Sequence, residues 1–158
     1  EQPTSFNDGY ARFVHCDYNL RRLRAMSEDL LDKNEITPQE KWVYVWYNTW
    51  QPFDNVVENN PLAFIDWESL PIDDVIDYYY TGYGSANLVA APVYDSAHKL
   101  FYVPRMATDE VLVTKQLDSR PGHSAYCPHT SFDDQTAELG SLPRRSIETR
   151  LLGVFEGD

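Results

Sequence analysis

A chain of 158 residues is long enough for one domain around a single apolar core and needs no disulfide staples. Its 25 acidic against 13 basic residues give a formal charge of -12, which repels phosphate backbones and anionic headgroups and excludes nucleic acid and membrane surfaces as expected partners. No apolar run reaches the length of a membrane span and no signal-peptide pattern opens the chain, so a cytoplasmic setting is expected; the first residue is Glu1 rather than Met, as in a processed or trimmed form.

Asn7-Asp8-Gly9 reads as a turn, and residues 10–17 as a short strand ending in Val14-His15-Cys16-Asp17. Extended backbone sends His15 and Asp17 to one face and Cys16 to the other. Leu20, Leu23, Met26, Leu30 and Leu31 then recur at helical spacing, predicting a helix that stops near Lys33-Asn34. Thr37-Pro38-Gln39-Glu40 has the shape of a capping box with Pro at the first helical position, which predicts one short helical turn. From Lys41 onward, Trp42, Tyr44, Trp46, Asn48 and Trp50 alternate with Val43, Val45, Tyr47 and Thr49. Bulk on both faces of this strand predicts a central position.

Residues 61–66 read as another short strand, and residues 71–77 as a brief helix beginning at Ser69 or Pro71. The stretch 78–85, rich in Tyr and Gly, reads as a mobile loop. Strands are predicted over 87–94, 99–104 and 110–117, with a last one over 146–155. Short strands, polar turns, one main helix and no alternating βα rhythm predict a mainly β fold with few helices, a jelly roll, as a single domain over 1–158. Oligomeric state is left open by these patterns.

Three residues match a 2-His-1-carboxylate iron site: His15, Asp17 and, far downstream in Pro128-His129-Thr130, His129. Such a set occupies one face of an octahedral Fe(II) and leaves the other face for a co-substrate and dioxygen. Arg144 follows His129 by fifteen residues, and its two-residue spacing from Ser146 puts a guanidinium fork and a hydroxyl on one strand face, a clamp suited to a carboxylate. Arg144, Arg145 and Arg150 are the basic cluster near the second histidine, whereas Arg21-Arg22-x-Arg24 reads as a solvated helix face. Asn48 and Lys115 are further candidates for a co-substrate carboxylate, each with a plain structural alternative: backbone satisfaction for Asn48, solvation for Lys115. His98 and His123 read as packed or exposed residues, Asp133 and Asp134 as loop caps, and Glu148 with Arg150 as an ion-pair ladder. Cys16 and Cys127 read as reduced, packed thiols rather than a disulfide.

Seven blocks recur in order: Val14-His15-Cys16-Asp17, Asn48-Thr49-Trp50-Gln51-Pro52, Pro61-Leu62-Ala63-Phe64-Ile65-Asp66, Ala97-His98-Lys99-Leu100-Phe101-Tyr102, Lys115-Gln116-Leu117-Asp118-Ser119, Pro128-His129-Thr130-Ser131-Phe132-Asp133-Asp134 and Arg144-Arg145-Ser146-Ile147-Glu148-Thr149-Arg150. With these the chain resembles the hydroxylase/desaturase family of non-heme Fe(II)/2-oxoglutarate oxygenases that includes the gibberellin desaturase-like proteins and the cephamycin methoxylation component. The resemblance implies a double-stranded β-helix of the cupin-like kind, with iron at His15, Asp17 and His129 and the distal carboxylate of 2-oxoglutarate at Arg144 and Ser146. It further implies O2 as second co-substrate and hydroxylation, desaturation or cyclisation of a small molecule in secondary metabolism. Gln51 departs from the family, which usually carries Arg at that position of its Asn-x-Trp-Arg-Pro block, and members usually carry more sequence before the His-x-Asp strand. Two other readings stay open at this point: a cupin-like isomerase or dioxygenase without 2-oxoglutarate, and a non-catalytic β-sandwich that binds a ligand on its aromatic face.

Overall fold

The aromatic alternation after Lys41 forms β1 (Trp42–Pro52), and its neighbours on either side make it the middle strand of a sheet. The structure, a computed structural model, describes residues 10–82 and 85–157; the Asn7-Asp8-Gly9 turn lies outside them. Asn19 caps a 3-10 turn, its side-chain oxygen accepting from the Arg21 N–H at 2.9 Å, and the chain runs on into α1 (Leu23–Lys33). Leu23, Ser27 and Leu31 are the buried face of that helix, close to the stripe expected from the spacing.

The remaining strands are β2 (Leu62–Ile65), β3 (Val75–Gly82), β4 (Ser85–Pro92), β5 (Leu100–Tyr102), β6 (Leu112–Asp118), β7 (His129–Ser131) and β8 (Ser146–Glu156). They pair antiparallel as β6-β1-β8, β5-β2-β7 and the hairpin β3-β4. The mainly β, jelly-roll expectation is met, with one α-helix among the described residues. In β6 an extra residue, Gln116, bulges opposite the Trp46–Tyr47 step of β1. On the inner face of β1, Trp46 packs into one core cluster with Tyr44, Leu23 and Leu117, while Trp50 packs into another with Val57 and Met106. Asn48 lies between the two clusters and is itself buried. Among the described residues no helix is long and apolar enough to cross a membrane.

Four local expectations change. Residues 10–17 do not form a continuous strand; they run as an extended segment joined to the sheets at isolated bridges, His15 to His129 and Cys16 to Ala90. Residues 37–40 hold a turn rather than a helix, with the Trp42 N–H donating to the Gln39 carbonyl at 3.1 Å, because the chain passes straight into β1 and its pairing with β8. Residues 71–77 divide into a 3-10 turn over Ile72–Asp74 and the start of β3, with a second 3-10 turn over Trp67–Ser69. The Tyr-rich stretch belongs to β3 instead of a loop: tyrosine favours pleated backbone, and a paired β4 supplies its hydrogen bonds.

Candidate metal centre

The extended His15 segment lies between two strands. His15 and His129 exchange backbone hydrogen bonds at 3.1 and 3.0 Å, and the Cys16 N–H donates to the Ala90 carbonyl at 2.8 Å. A directly paired position puts both imidazoles on one face, with ring centroids 4.6 Å apart. Each ring is oriented the same way. His15 Nδ1 lies 2.9 Å from the Phe13 carbonyl and His129 Nδ1 lies 2.9 Å from the Cys127 carbonyl, contacts in which Nδ1–H donates and the lone pair stays on Nε2. Asp17, two residues beyond His15, returns to the same face, and its Oδ1 sits 3.8 Å from His15 Nε2 and 3.9 Å from His129 Nε2. Donor atoms of the three residues all lie within 4.8 Å of one another.

Burial, with the neighbouring His129 ring second, lowers the His15 pKa against the opposing pull of the Phe13 carbonyl and Asp17. The neutral imidazole, the form that binds metal, is therefore favoured at neutral pH. Asp17 is held from the sheet below. Asn48 Nδ2 donates to its Oδ2 at 2.6 Å, and Arg150 Nη2 lies 3.4 Å from its Oδ1. Asn48 and Arg150 are register partners in β1 and β8, so their side chains rise from one row of the sheet. Asn48 Oδ1 is buried and has no hydrogen-bond partner among the described residues, a state that a native fold satisfies with ligand or ordered water.

This donor set fits a divalent ion of the Fe(II) type. Two imidazoles and one carboxylate make a facial triad, and cis ligands at bonds of about 2.1 Å stand about 3 Å apart, closer than the 3.8 and 3.9 Å from Asp17 to the two imidazoles and the 4.8 Å within which the whole set lies.

The other predicted residues separate into two groups. Arg144 enters just before β8 with its guanidinium between the Tyr10 ring, 4.7 Å away, and the Trp50 ring, 5.2 Å away. Its Nη1 donates to the Asn60 carbonyl at 2.6 Å, while its buried Nε has no partner among the described residues. Burial pulls its pKa below the usual arginine value. Ser146 begins β8 opposite Pro52, on the same face as Trp50 and Asn48. Lys115 does not join this group: it pairs with Tyr47, one position off the Asn48–Thr114 row, and its Nζ donates to Asp118 Oδ2 at 2.9 Å. His98 lies 3.3 Å from Asp74, His123 lies 3.7 Å from Asp118, Asp133 pairs with Arg12, and Asp134 caps Thr136. Both cysteines are free, and burial pushes the Cys127 thiol up to about 12.

Two features escape the sequence reading. Arg150 does bond Glu148, at 2.9 Å through Nε, as a ladder would, but its other edge reaches Asp17. The aromatic neighbours of the triad are Phe13, 4.9 Å from the His15 ring, and Phe64, 6.0 Å from the His129 ring and stacked on Phe101. The pattern Phe13-x-His15 carries a signal for the first of these; the second needs the pairing of β2 with β7.

The profile of the Oxidoreductase/YMDC permease-like domain family matches residues 2–155. The chain belongs to this family. Among similar proteins is a hydroxylase/desaturase, CTB9, of Cercospora beticola, 31% identical over 157 residues that cover 92% of this chain and 47% of that protein. The Fe(II)/2-oxoglutarate-dependent dioxygenase nvfI of Aspergillus novofumigatus (strain IBT 16806) is 26% identical, with coverage of 93% and 53%. A solved structure of the iron and alpha-ketoglutarate-dependent endoperoxidase NvfI superposes with a TM-score of 0.83 at 24% identity, covering 99% of this chain and 58% of that one, which establishes the shared fold. The chain spans about half the length of the curated relatives it matches. The family's relatives thus bear out the resemblance to iron- and 2-oxoglutarate-dependent hydroxylase/desaturases read from the seven blocks.

Proposed function

We propose that this chain is the oxygenase-like jelly-roll domain, over 1–158, of an Fe(II)/2-oxoglutarate-dependent oxygenase that hydroxylates, desaturates or cyclises a small molecule in secondary metabolism. The observation that carries the reading is the placing of Asp17 Oδ1 within 4 Å of two Nε2 atoms whose rings are both fixed from behind. His15, Asp17 and His129 would hold the iron. Arg144 and Ser146 would receive the distal carboxylate of 2-oxoglutarate, and Asn48 would fix the orientation of Asp17. When bound, iron with 2-oxoglutarate and O2 supplies oxidative decarboxylation coupled to oxidation of a C–H bond.

The protein's own part is positioning and exclusion of water. The hydrogen bond from Asn48 and contact with Arg150 keep the Asp17 carboxylate facing the imidazoles, and outer partners of this kind tune metal affinity by about 10–100-fold. Phe13, Phe64 and Phe101 offer an apolar flank for a partly apolar substrate. Two free thiols and the need for ferrous iron support a cytoplasmic setting. Relatives named as 2-oxoglutarate-dependent dioxygenases favour this reading over a cupin-like enzyme without that co-substrate and over a binding module.

Substrate-independent conversion of 2-oxoglutarate to succinate by the iron-loaded protein is the test. Loss of that turnover in His129→Ala is the expected result, and turnover at the wild-type rate in that variant would refute the assignment.

A further inference from the structure

Beyond β6 the chain makes a tight turn over residues 120–123. Pro121 presets the second position, Gly122 takes a φ of +76° at the third, and the His123 N–H donates to the Arg120 carbonyl at 3.3 Å. The turn brings Arg120 and His123 together beside Asp118. Arg120 engages that carboxylate through Nε and Nη2 and lies over the Phe155 ring at 5.2 Å, while His123 Nδ1 stands 3.7 Å from it. Lys115 donates to the same carboxylate, so two permanent cations share one anion. The cluster keeps a positive excess in a chain whose formal charge is -12. Arg120 Nη1 takes no part in these bonds, and the Arg120 and His123 side chains are 33% and 46% exposed, open to a ligand from solvent.

Both residues line a cleft of about 700 Å³. The rest of its lining is mainly apolar: Trp67 and Ile72 stand half or more in solvent, and Tyr126 is buried, its hydroxyl accepting from the Leu20 N–H at 3.1 Å. Glu68 is the single carboxylate among the described lining residues. A cleft of this size with an apolar body and a few polar groups has the makeup of a small-molecule site. It is not the metal centre. Asp118 and Lys115 are register partners of Val45 and Tyr47, the β1 positions that alternate with Trp46 and Asn48, so the cationic cluster stands on the sheet face turned away from Asp17.

We propose that this cleft binds a monocarboxylate with an apolar body, the carboxylate accepting from Arg120 Nη1 and facing His123, the body lying against Trp67, Ile72 and Tyr126. The two halves of the lining select this class together: an inorganic anion leaves the aromatic and aliphatic walls unused, and a neutral hydrocarbon leaves the cations unused.

Calorimetric titration of the 158-residue chain with octanoate and with 1-octanol, which differ in the head group alone, is the experiment. Octanoate is expected to bind at least about tenfold more tightly than 1-octanol. Ile72→Glu, which leaves the bonds of Asp118 intact, is expected to weaken octanoate by about tenfold or more through like charge, and Trp67→Ala to weaken both ligands by a common factor of about five. Arg120→Gln should bring octanoate down to the level of 1-octanol; because that change also loosens the buried Asp118, Ile72→Glu carries the decision. Equal affinity for the two ligands, an adventitious apolar contact only, would overturn the proposal. Octanoate held as tightly by Ile72→Glu as by wild type but lost in Arg144→Gln would overturn it too, placing the acid at the proposed metal centre. So would no uptake of octanoate with a dimer in sedimentation that dissociates in Ile72→Glu, which would give the cleft to a second copy of the chain.

Discussion

Asn48 is the residue on which the geometry of Asp17 depends most directly. Its amide donates the shortest bond to the carboxylate, at 2.6 Å, and it is buried. Asn48→Leu should keep most of the packing between Trp46 and Trp50 yet lower Mn(II) or Fe(II) affinity by about 10–100-fold, measurable by calorimetry. Unchanged metal affinity would remove Asn48 from the site. Arg144→Ala should raise the KM for 2-oxoglutarate by at least about tenfold, with a smaller effect on kcat at saturation. At this scale the candidate site was legible where chemistry and spacing coincide, at His15-x-Asp17, whose side chains the fold brings to His129. What was not legible needed register. Nothing in the linear order shows that Arg150 faces Asn48 across the β1–β8 ladder, or that Lys115, a candidate for a co-substrate carboxylate, sits one position off the Asn48–Thr114 row.

Among the elements, β6 carries the most exacting polar arrangement outside the metal group. The Asp118 side chain is fully buried and accepts from Lys115 Nζ at 2.9 Å and from Arg120 Nε and Nη2 at 3.0 and 2.8 Å. Burial alone would raise its pKa, but the Arg120 and Lys115 hydrogen bonds prevail and hold the carboxyl well below the usual range. Asp118→Asn leaves two cations facing a neutral amide and should cost about 3 kcal/mol in urea unfolding. The sign with pH follows from the depressed folded pKa: the ionised Asp118 stabilises the protein above the unfolded value of 3.8 and loses that effect progressively as pH falls from there toward the lower folded pKa. The stability gap between wild type and Asp118→Asn should therefore begin to shrink below about pH 5 and go on shrinking below about pH 3. A gap that stays constant over that range would contradict this role. Strand assignment itself was readable wherever bulk alternated, as in β1, and failed where composition misled. The Tyr and Gly run of β3 looked like a loop because glycine is usually punctuation, while the pairing with β4 that makes it a strand is supplied by a separate segment.

For the whole molecule, the His15 segment is a suture between β7 and β4 rather than a strand in its own right. Metal held by His15, Asp17 and His129 would tie that segment to the sheet, so binding and folding are linked. Saturation to about one hundred times Kd should add about 2.7 kcal/mol and raise Tm by about 5–10 °C for a chain of this size. Treatment with a chelator should reverse the gain, and hydrogen exchange should show protection rising in residues 10–17 and in β7. The formal charge of -12 makes the local arginines matter more, since an anionic co-substrate approaches a net-negative chain and Arg144, Arg145 and Arg150 are the basic cluster near the second histidine.

Anaerobic titration of the protein with Fe(II) in the presence of 2-oxoglutarate, followed by the visible charge-transfer absorption of the iron chelate, tests the central claim most directly. One equivalent of iron should develop the band in the wild-type protein, and His15→Ala, Asp17→Ala and His129→Ala should each abolish or greatly weaken it. A band of undiminished strength in any of the three variants, or none in the wild type, would contradict a shared iron at these residues.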